Sequence, residues 1–314
     1  MVRHSPSILA ILGPTASGKS ALALEVAGRH DGEIVSCDST AVYRGFDIGT
    51  DKVPPEQRCG IPHHLIDVAD PTEHYTAARY ASEAAAAIGD IQRRGRLPVI
   101  VGGTGFYYRA LTRGLFPGPG RNEALRQRLG QRADSKGVEY LHRMVRRVDP
   151  ASAERIQPRD RMRLIRALEV YLLTGRPLTD HFSATVSPLG DREVFAVALR
   201  PPVDDITRRV GARVADQFGR GIVDEVRTLL ARGVPETAHP FGGLVYRQVL
   251  ELLHGVRGEA ETRSLIVREN LRYARRQLIW FRKEPNLVWF QGAGEQPDTR
   301  ATVERALRLQ KRFR

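Results

Sequence analysis

A chain of 314 residues, 41% hydrophobic and 27% charged, is long enough for one large domain with an inserted module and too apolar to be disordered. Its formal net charge of +13 points to a polyanionic partner, nucleic acid or a phosphorylated substrate, although only five of the 49 basic residues are Lys, so a general preference for Arg accounts for part of it. Two cysteines, Cys37 and Cys59, exclude a disulfide scaffold and a zinc ribbon, and no apolar run reaches 18 residues.

The N-terminal stretch Met1–Pro6 leads into only five apolar residues, Ile8 to Leu12, too few for a signal-peptide core. A soluble, cytoplasmic protein without a membrane partner is expected. Ile8–Leu12 reads instead as a buried parallel strand, followed by a glycine-rich turn and a helix over Ser20–Ala27. Glu33–Cys37 predicts a second strand, Leu65–Val68 a third, Thr76–Ile88 an Ala-rich helix, and Leu97–Val101 a strand ending in Gly102-Gly103. After a Gly/Pro-dense break at Gly114–Arg121 the apolar residues follow a helical period to about Phe182. Val194–Leu199 then returns as a strand, and everything from Asp204 onward reads as helix. The expected fold is α/β: a P-loop, doubly wound parallel-sheet core (residues 1–115 and 193–314) with a helical insertion over 116–192 and a helical C-terminal region.

Gly13, Pro14, Thr15, Ala16, Ser17, Gly18, Lys19 and Ser20 fit G-x-x-x-x-G-K-[ST] and lie between a strand and a helix, where that motif cradles phosphate. Backbone N–H groups near Ser17–Ser20 and the helix dipole would face the anion. Lys19 would meet its terminal oxygens, and the Ser20 hydroxyl would ligate Mg²⁺. The motif does not choose among phosphate compounds. Asp38 and Thr104 sit at the carboxyl ends of two predicted strands, where open α/β sheets place their chemistry; either residue alone also fits ordinary turn chemistry. The tandem His63-His64 has no Cys or third His nearby, and a structural role is expected for it.

With several longer stretches, these residues resemble the tRNA dimethylallyltransferases. The stretches are the phosphate loop, Asp38-Ser39 with Val42–Thr50, Gly60–Asp67, Val101–Gly105, Arg163–Val170, and Ala274–Gln277 with Trp280–Arg282, in order over nearly the whole chain. The resemblance implies transfer of a dimethylallyl group from dimethylallyl diphosphate to the N6 amine of adenosine-37 in tRNA. That amine is a poor nucleophile, so a base must take its proton, and Asp38 is the matching carboxylate. Lys19, Mg²⁺ and the loop would receive the leaving diphosphate, with Arg213 as a further contact and Thr104 steadying substrate. By the same resemblance Asp38, Ser39, Thr40, Ala41, Thr104, Arg126, Met162, Arg163, Leu164, Ile165, Arg166, Tyr246, Arg247, Arg275, Arg276, Gln277, Trp280 and Arg282 contact the anticodon stem-loop. The family commonly has Gln or Leu at Ala41, His at Gln157, Gly at Val245 and Thr at Ile279, departures that bear on RNA recognition.

The residues carry an RNA signal of their own. Positions 263–282 hold six Arg against one acid, Glu269, and helical spacing leaves Arg268, Arg272, Arg275 and Arg276 outside a face of Leu271, Ala274, Leu278 and Phe281. Tyr273 and Trp280 are candidates to stack on bases. Three other readings remain in view: a prenyltransferase acting on free adenine nucleotides, a P-loop kinase, and a non-catalytic RNA-binding module. A monomer is expected.

Overall fold

The computed structural model describes residues 8–309; the Met1–Pro6 stretch and the last five residues of the expected C-terminal helix lie outside the described residues. In chain order the elements are β1 (Ile8–Leu12), α1 (Lys19–Arg29), β2 (Gly32–Cys37), β3 (His63–His64), α2 (Ala77–Arg93), β4 (Leu97–Gly102), α3 (Gly105–Arg113), α4 (Glu123–Lys136), α5 (Val138–Val148), α6 (Pro150–Arg155) and α7 (Arg161–Thr174). They continue with β5 (Val194–Arg200), α8 (Val203–Gly219), α9 (Ile222–Ala231), α10 (Leu244–Leu253), α11 (Glu259–Phe281), β6 (Leu287–Gln291) and α12 (Pro297–Leu309).

The six strands form one parallel sheet in the order β3-β2-β4-β1-β5-β6. β1, β2 and β4 are buried at every position, as strands covered on both faces must be. Their alternation divides two cores. Ile8, Ala10, Leu12, Val35 and Ile100 enter one with Phe46, Phe241 and Tyr246, while Leu9, Ile11, Ile34, Val99 and Val101 enter the other with Leu22, Val26 and Val303. β1 lies between β4 and β5, although the chain passes from β1 to β2 on one side and reaches β5 on the other. The crevice beyond the carboxyl end of β1 is therefore the switch point where this sheet class binds ligands.

Two expectations need correction. Leu65–Val68 is no strand: pairing stops after His63 and His64, which lie against Ile34 and Val35, and the chain then turns through positive φ at Leu65 (61°) and Asp67 (58°). The C-terminal part is not wholly helical. Leu287–Gln291 adds β6 beside β5, an edge strand with only Phe290 buried, and so without the continuous apolar run that marks the central strands.

The chain divides into two compact units, one of residues up to Thr112 with those from Pro188 onward, the other Arg113–Ser187. The break falls at 113 and 187, where 116 and 192 were expected. Gly114 packs on the Val186 carbonyl inside the second unit, whereas Leu189 is buried in the sheet unit's core. The second unit is entirely helical and has its own core of Leu129, Leu141, Val145, Leu164, Ile165 and Leu168. Asp160 caps α7 by accepting the Arg163 N–H, and Gly175 ends it at φ 70°.

Candidate active site

The phosphate loop joins β1 to α1 in a conformation that few side chains allow. Gly18 caps α1 at φ 76°, and a Cβ there would come within 2.8 Å of the Gly294 nitrogen as well as striking the Glu295 carboxylate. Ala16 also takes a positive φ of 60°. Its carbonyl accepts from Arg209 Nε at 2.6 Å, and the Arg209 guanidinium pairs with Glu295. The Ser17 hydroxyl is buried without a hydrogen bond among the described residues. Lys19 Nζ donates to the Pro14 carbonyl at 3.2 Å. Burial, then the neighbouring Arg213 cation, brings the Lys19 ammonium down to about 8, with Asp38 and Asp51 opposing.

Asp38 follows β2. Its Oδ1 accepts from Thr40 N at 2.8 Å, Thr40 Oγ1 at 2.7 Å and Ala41 N at 3.2 Å, while Oδ2 has no hydrogen bond among the described residues. Three donors thus fix the carboxylate through one oxygen and leave the other able to take a proton. Thr104, beyond β4, accepts the Ser39 N–H on Oγ1 at 3.1 Å, and its own N–H donates to the Cys37 carbonyl at 3.2 Å. It ties the end of β4 to the segment that bears Asp38. Gly102 and Gly103 are required there, because a Cβ would strike the Cys37 carbonyl at 102 and the Gln277 amide at 103.

Lys19, Ser20, Asp38 and the Gly102-Gly103 turn line one cavity of about 730 Å³ in the sheet unit, whereas Thr104 is not among its lining residues and serves as the tie behind Ser39. Lys19, Ser20, Asp38, Thr50, Asp51 and Arg213 supply polar groups, with Tyr273, Arg276 and Gln277 from α11. Arg208, Arg209 and Arg213 are thereby separated. Arg213 Nη1 donates to Thr15 Oγ1 at 2.9 Å, Arg209 braces Ala16, and Arg208 pairs with Asp205 on α8 itself. Of the three, only Arg213 lines the cavity. Ser20 is exposed at its edge, and its hydroxyl is the kind of hard oxygen donor that Mg²⁺ accepts alongside phosphate oxygens. His63 and His64 have structural partners: His63 Nδ1 contacts the Ile61 carbonyl at 2.8 Å and His64 Nε2 the Glu33 carboxylate at 2.7 Å.

The residues expected to touch RNA divide. On α11, Arg268, Arg272, Arg275 and Arg276 are exposed, as is Arg282 just beyond its end. Trp280 is half-buried under the Arg109 guanidinium, 4.5 Å from its ring, and Ile279 is exposed. Gln277 is a brace: Oε1 accepts the Thr15 N–H at 2.8 Å and Nε2 donates to the Gly103 carbonyl at 2.9 Å. The Tyr246 side chain is largely buried, its hydroxyl donating to Glu225 at 2.6 Å, and the residue lines the cavity between Val245 and Arg247. Arg247 is half-exposed and donates to Glu269 at 2.9 Å. Ala41 is buried but lines the cavity with Ser39 and Thr40.

In the helical unit, Met162 and Arg163 are exposed in the first turn of α7, Leu164 is fully buried in the core, and Ile165, also a core residue, lines a second pocket with Arg126 and Met162. Arg126 and Arg166 are committed to the buried Glu169. Arg126 grips it with Nε at 2.8 Å and Nη2 at 2.9 Å; Arg166 donates Nη1 at 2.7 Å. Sequence reasoning missed Glu169 because nothing in the sequence shows a mid-helix Glu facing inward. It also missed Asp51, which lines the cavity directly after Asp47–Thr50, and Glu225, which accepts the Asp47 and Ile48 N–H groups outside the cavity lining.

A phosphate loop at the switch point, with a half-free carboxylate in the same cavity, defines a group-transfer enzyme of the P-loop class. The family model described as IPP transferase matches residues 41–284. The tRNA dimethylallyltransferase of Solibacter usitatus is 47% identical over 94% of this chain and 96% of its own, and that of Koribacter versatilis 42% identical over 97% and 98%. Among solved structures, the tRNA isopentenylpyrophosphate transferase of Bacillus halodurans superposes with a TM-score of 0.71 at 34% identity, covering 98% of this chain and 97% of that one. A eukaryotic dimethylallyltransferase described as acting on tRNA gives 0.77 at 25% identity, covering 96% and 78%. The chain belongs to the IPP transferase family.

Proposed function

We propose that this chain transfers the dimethylallyl group of dimethylallyl diphosphate to the N6 amine of adenosine-37 in tRNA, releasing diphosphate. The observation that carries this reading is the shared cavity: the uncommitted Oδ2 of Asp38 belongs to the same enclosure as Lys19, Ser20 and Arg213. As the new N–C bond forms and the C–O bond to diphosphate breaks, Asp38 takes the amine proton and the positive cradle receives the leaving group. Mg²⁺ held by the Ser20 hydroxyl together with the diphosphate would neutralise part of that charge. Thr104 keeps the Asp38–Ser39 segment in register with the end of β4.

The Arg-rich face of α11 and the exposed start of α7 favour an anticodon stem-loop over a free nucleotide, because a mononucleotide has no backbone for them to hold. A base paired or stacked in a loop must leave its stack to bring N6 into an enclosed site. We take the working form to be a cytoplasmic monomer. The test is mass spectrometry of an unmodified anticodon stem-loop carrying three consecutive adenosines, incubated with the chain, Mg²⁺ and dimethylallyl diphosphate. A gain of one dimethylallyl group is expected; modification of AMP in its place would favour the free-nucleotide enzyme.

A further inference from the structure

The wall of the cavity beside Arg213 is a loop, residues 47–51, that is outside helix and sheet yet has its backbone answered by side chains. Glu225 Oε2 on α9 accepts the N–H of Ile48 at 2.7 Å and of Asp47 at 3.2 Å. The Tyr246 hydroxyl on α10 accepts the Gly49 N–H at 3.0 Å and donates to Glu225 Oε1 at 2.6 Å. Gln217 Nε2 on α8 donates to the carbonyls of Ile48 and Gly49 at 3.2 and 3.3 Å. Gly49 lies flat against the phenol: a Cβ would stand 2.6 Å from Tyr246 Cζ. The loop then presents the Thr50 carbonyl to Arg213 Nη2 at 3.5 Å and the Asp51 carboxylate to Arg213 Nη1 at 3.4 Å. Arg213 Nη1 also donates to Thr15 on the phosphate loop. A continuous path of contacts therefore runs from Glu225 through Tyr246 and Gly49 to Arg213.

We propose that Tyr246 and Glu225 are positioning residues for the diphosphate end of the site: through Gly49 and the loop after it, they set where Arg213 stands over the phosphate loop. The inference rests on the transferase reading only in taking that end as a diphosphate site. Arg213 is long and flexible, and its contacts to the loop at 3.4 and 3.5 Å are loose. Thr15 anchors Nη1 at 2.9 Å and the loop supplies the remaining contacts, so the orientation of the guanidinium depends on a loop that is itself fixed. A buried phenol bridging a carboxylate and a backbone N–H fixes it firmly, since removing the bridge leaves the Gly49 donor unsatisfied.

The test is a double-mutant cycle on the full chain, read by calorimetric titration with inorganic diphosphate and Mg²⁺. Tyr246→Phe keeps the ring against Phe46 and Phe241 and removes only the hydroxyl. It is expected to weaken diphosphate binding about five- to tenfold and to raise the KM for dimethylallyl diphosphate alike, leaving the KM for RNA unchanged. In an Arg213→Ala background the same substitution should have no further effect. Glu225→Gln should behave as Tyr246→Phe does. A penalty that persists in full without Arg213, or a lower melting temperature with unchanged diphosphate affinity, overturns the inference, as does a rise confined to the KM for RNA. If the unaltered chain binds no diphosphate at all, the transferase reading fails first and takes this inference with it.

Discussion

Gln277 joins α11 to the phosphate loop, its Oε1 accepting the Thr15 N–H at 2.8 Å while its amide donates to the Gly103 carbonyl at 2.9 Å. One side chain therefore sets the spacing between the turns that follow β1 and β4, the neighbouring central strands at whose carboxyl ends the cavity opens. Gln277→Ala leaves the buried Thr15 N–H without its acceptor and the Gly103 carbonyl with only the Gly105 N–H, a loss of about 1–3 kcal/mol in stability. Thermal or denaturant unfolding reads that loss directly. Turnover should fall with both substrates saturating, since the Asp38 and Lys19 sides lose their common brace.

Lys19 gives the site a pH dependence of definite sign. Its ammonium is lowered to about 8 in the free protein, so above that pH an increasing fraction is neutral. A bound diphosphate favours the charged form, and binding at higher pH must therefore take up a proton. Affinity for dimethylallyl diphosphate should weaken progressively as the pH rises past about 8. In Lys19→Ala, binding should be weaker throughout and lose this dependence. Titration calorimetry in buffers of different ionisation enthalpy measures the proton uptake.

Glu169 carries the acid sensitivity of the helical unit. Burial alone would raise its carboxyl, but hydrogen bonds from Arg126, the Asn122 N–H and Arg166 bring it from 4.5 down to about 2. A lowered folded-state value stabilises the unit above the unfolded value and stops doing so as the pH falls through the folded one. Helicity lost between about 4.5 and about 2 should therefore include this unit's contribution. Glu169→Gln should destabilise it by about 3 kcal/mol at neutral pH, because Arg126 and Arg166 lose their counter-charge, and should flatten the acid limb. Circular dichroism against pH for both proteins checks the sign.

The exposed arginines of α11 test the RNA reading without touching the chemistry. Arg275→Ala should lower RNA affinity and reduce the slope of log affinity against log salt by about one unit or slightly less. Diphosphate affinity should stay as it was. An unchanged slope would remove Arg275 from the RNA surface.

Much of this was legible in the sequence, and the reasons differ by element. The positions of the phosphate loop, Asp38 and Thr104 were readable because each follows a strand, and apolar runs such as Ile8–Leu12 and Leu97–Val101 mark those strands clearly. The outward face of α11 was readable because helical period fixes it, and Ala274 and Phe281 are indeed buried while Arg268, Arg272, Arg275 and Arg276 are exposed. What stayed hidden depends on contacts distant in sequence. Nothing local distinguishes Gln277 as a brace, Tyr246 as a buried bridge or Glu169 as a buried carboxylate, since their partners lie 262, 21 and 43 positions away. β6 escaped for a third reason: an edge strand paired on one side and exposed at Val288 lacks the uninterrupted burial that the central strands write into their sequence.

One cavity joins the Asp38 carboxylate to Lys19 and Arg213, and Asp38→Asn separates the proposed base from the proposed diphosphate cradle. The substitution keeps an oxygen able to accept from Thr40 and Ala41 but removes the group that takes the proton. Single-turnover prenylation of an anticodon stem-loop, measured beside calorimetric binding of diphosphate, is the decisive experiment. A rate reduced about 10²- to 10⁴-fold with diphosphate affinity unchanged is the predicted result. A rate close to that of the unaltered chain would contradict the account, because the proton would then be leaving by a route that does not involve Asp38.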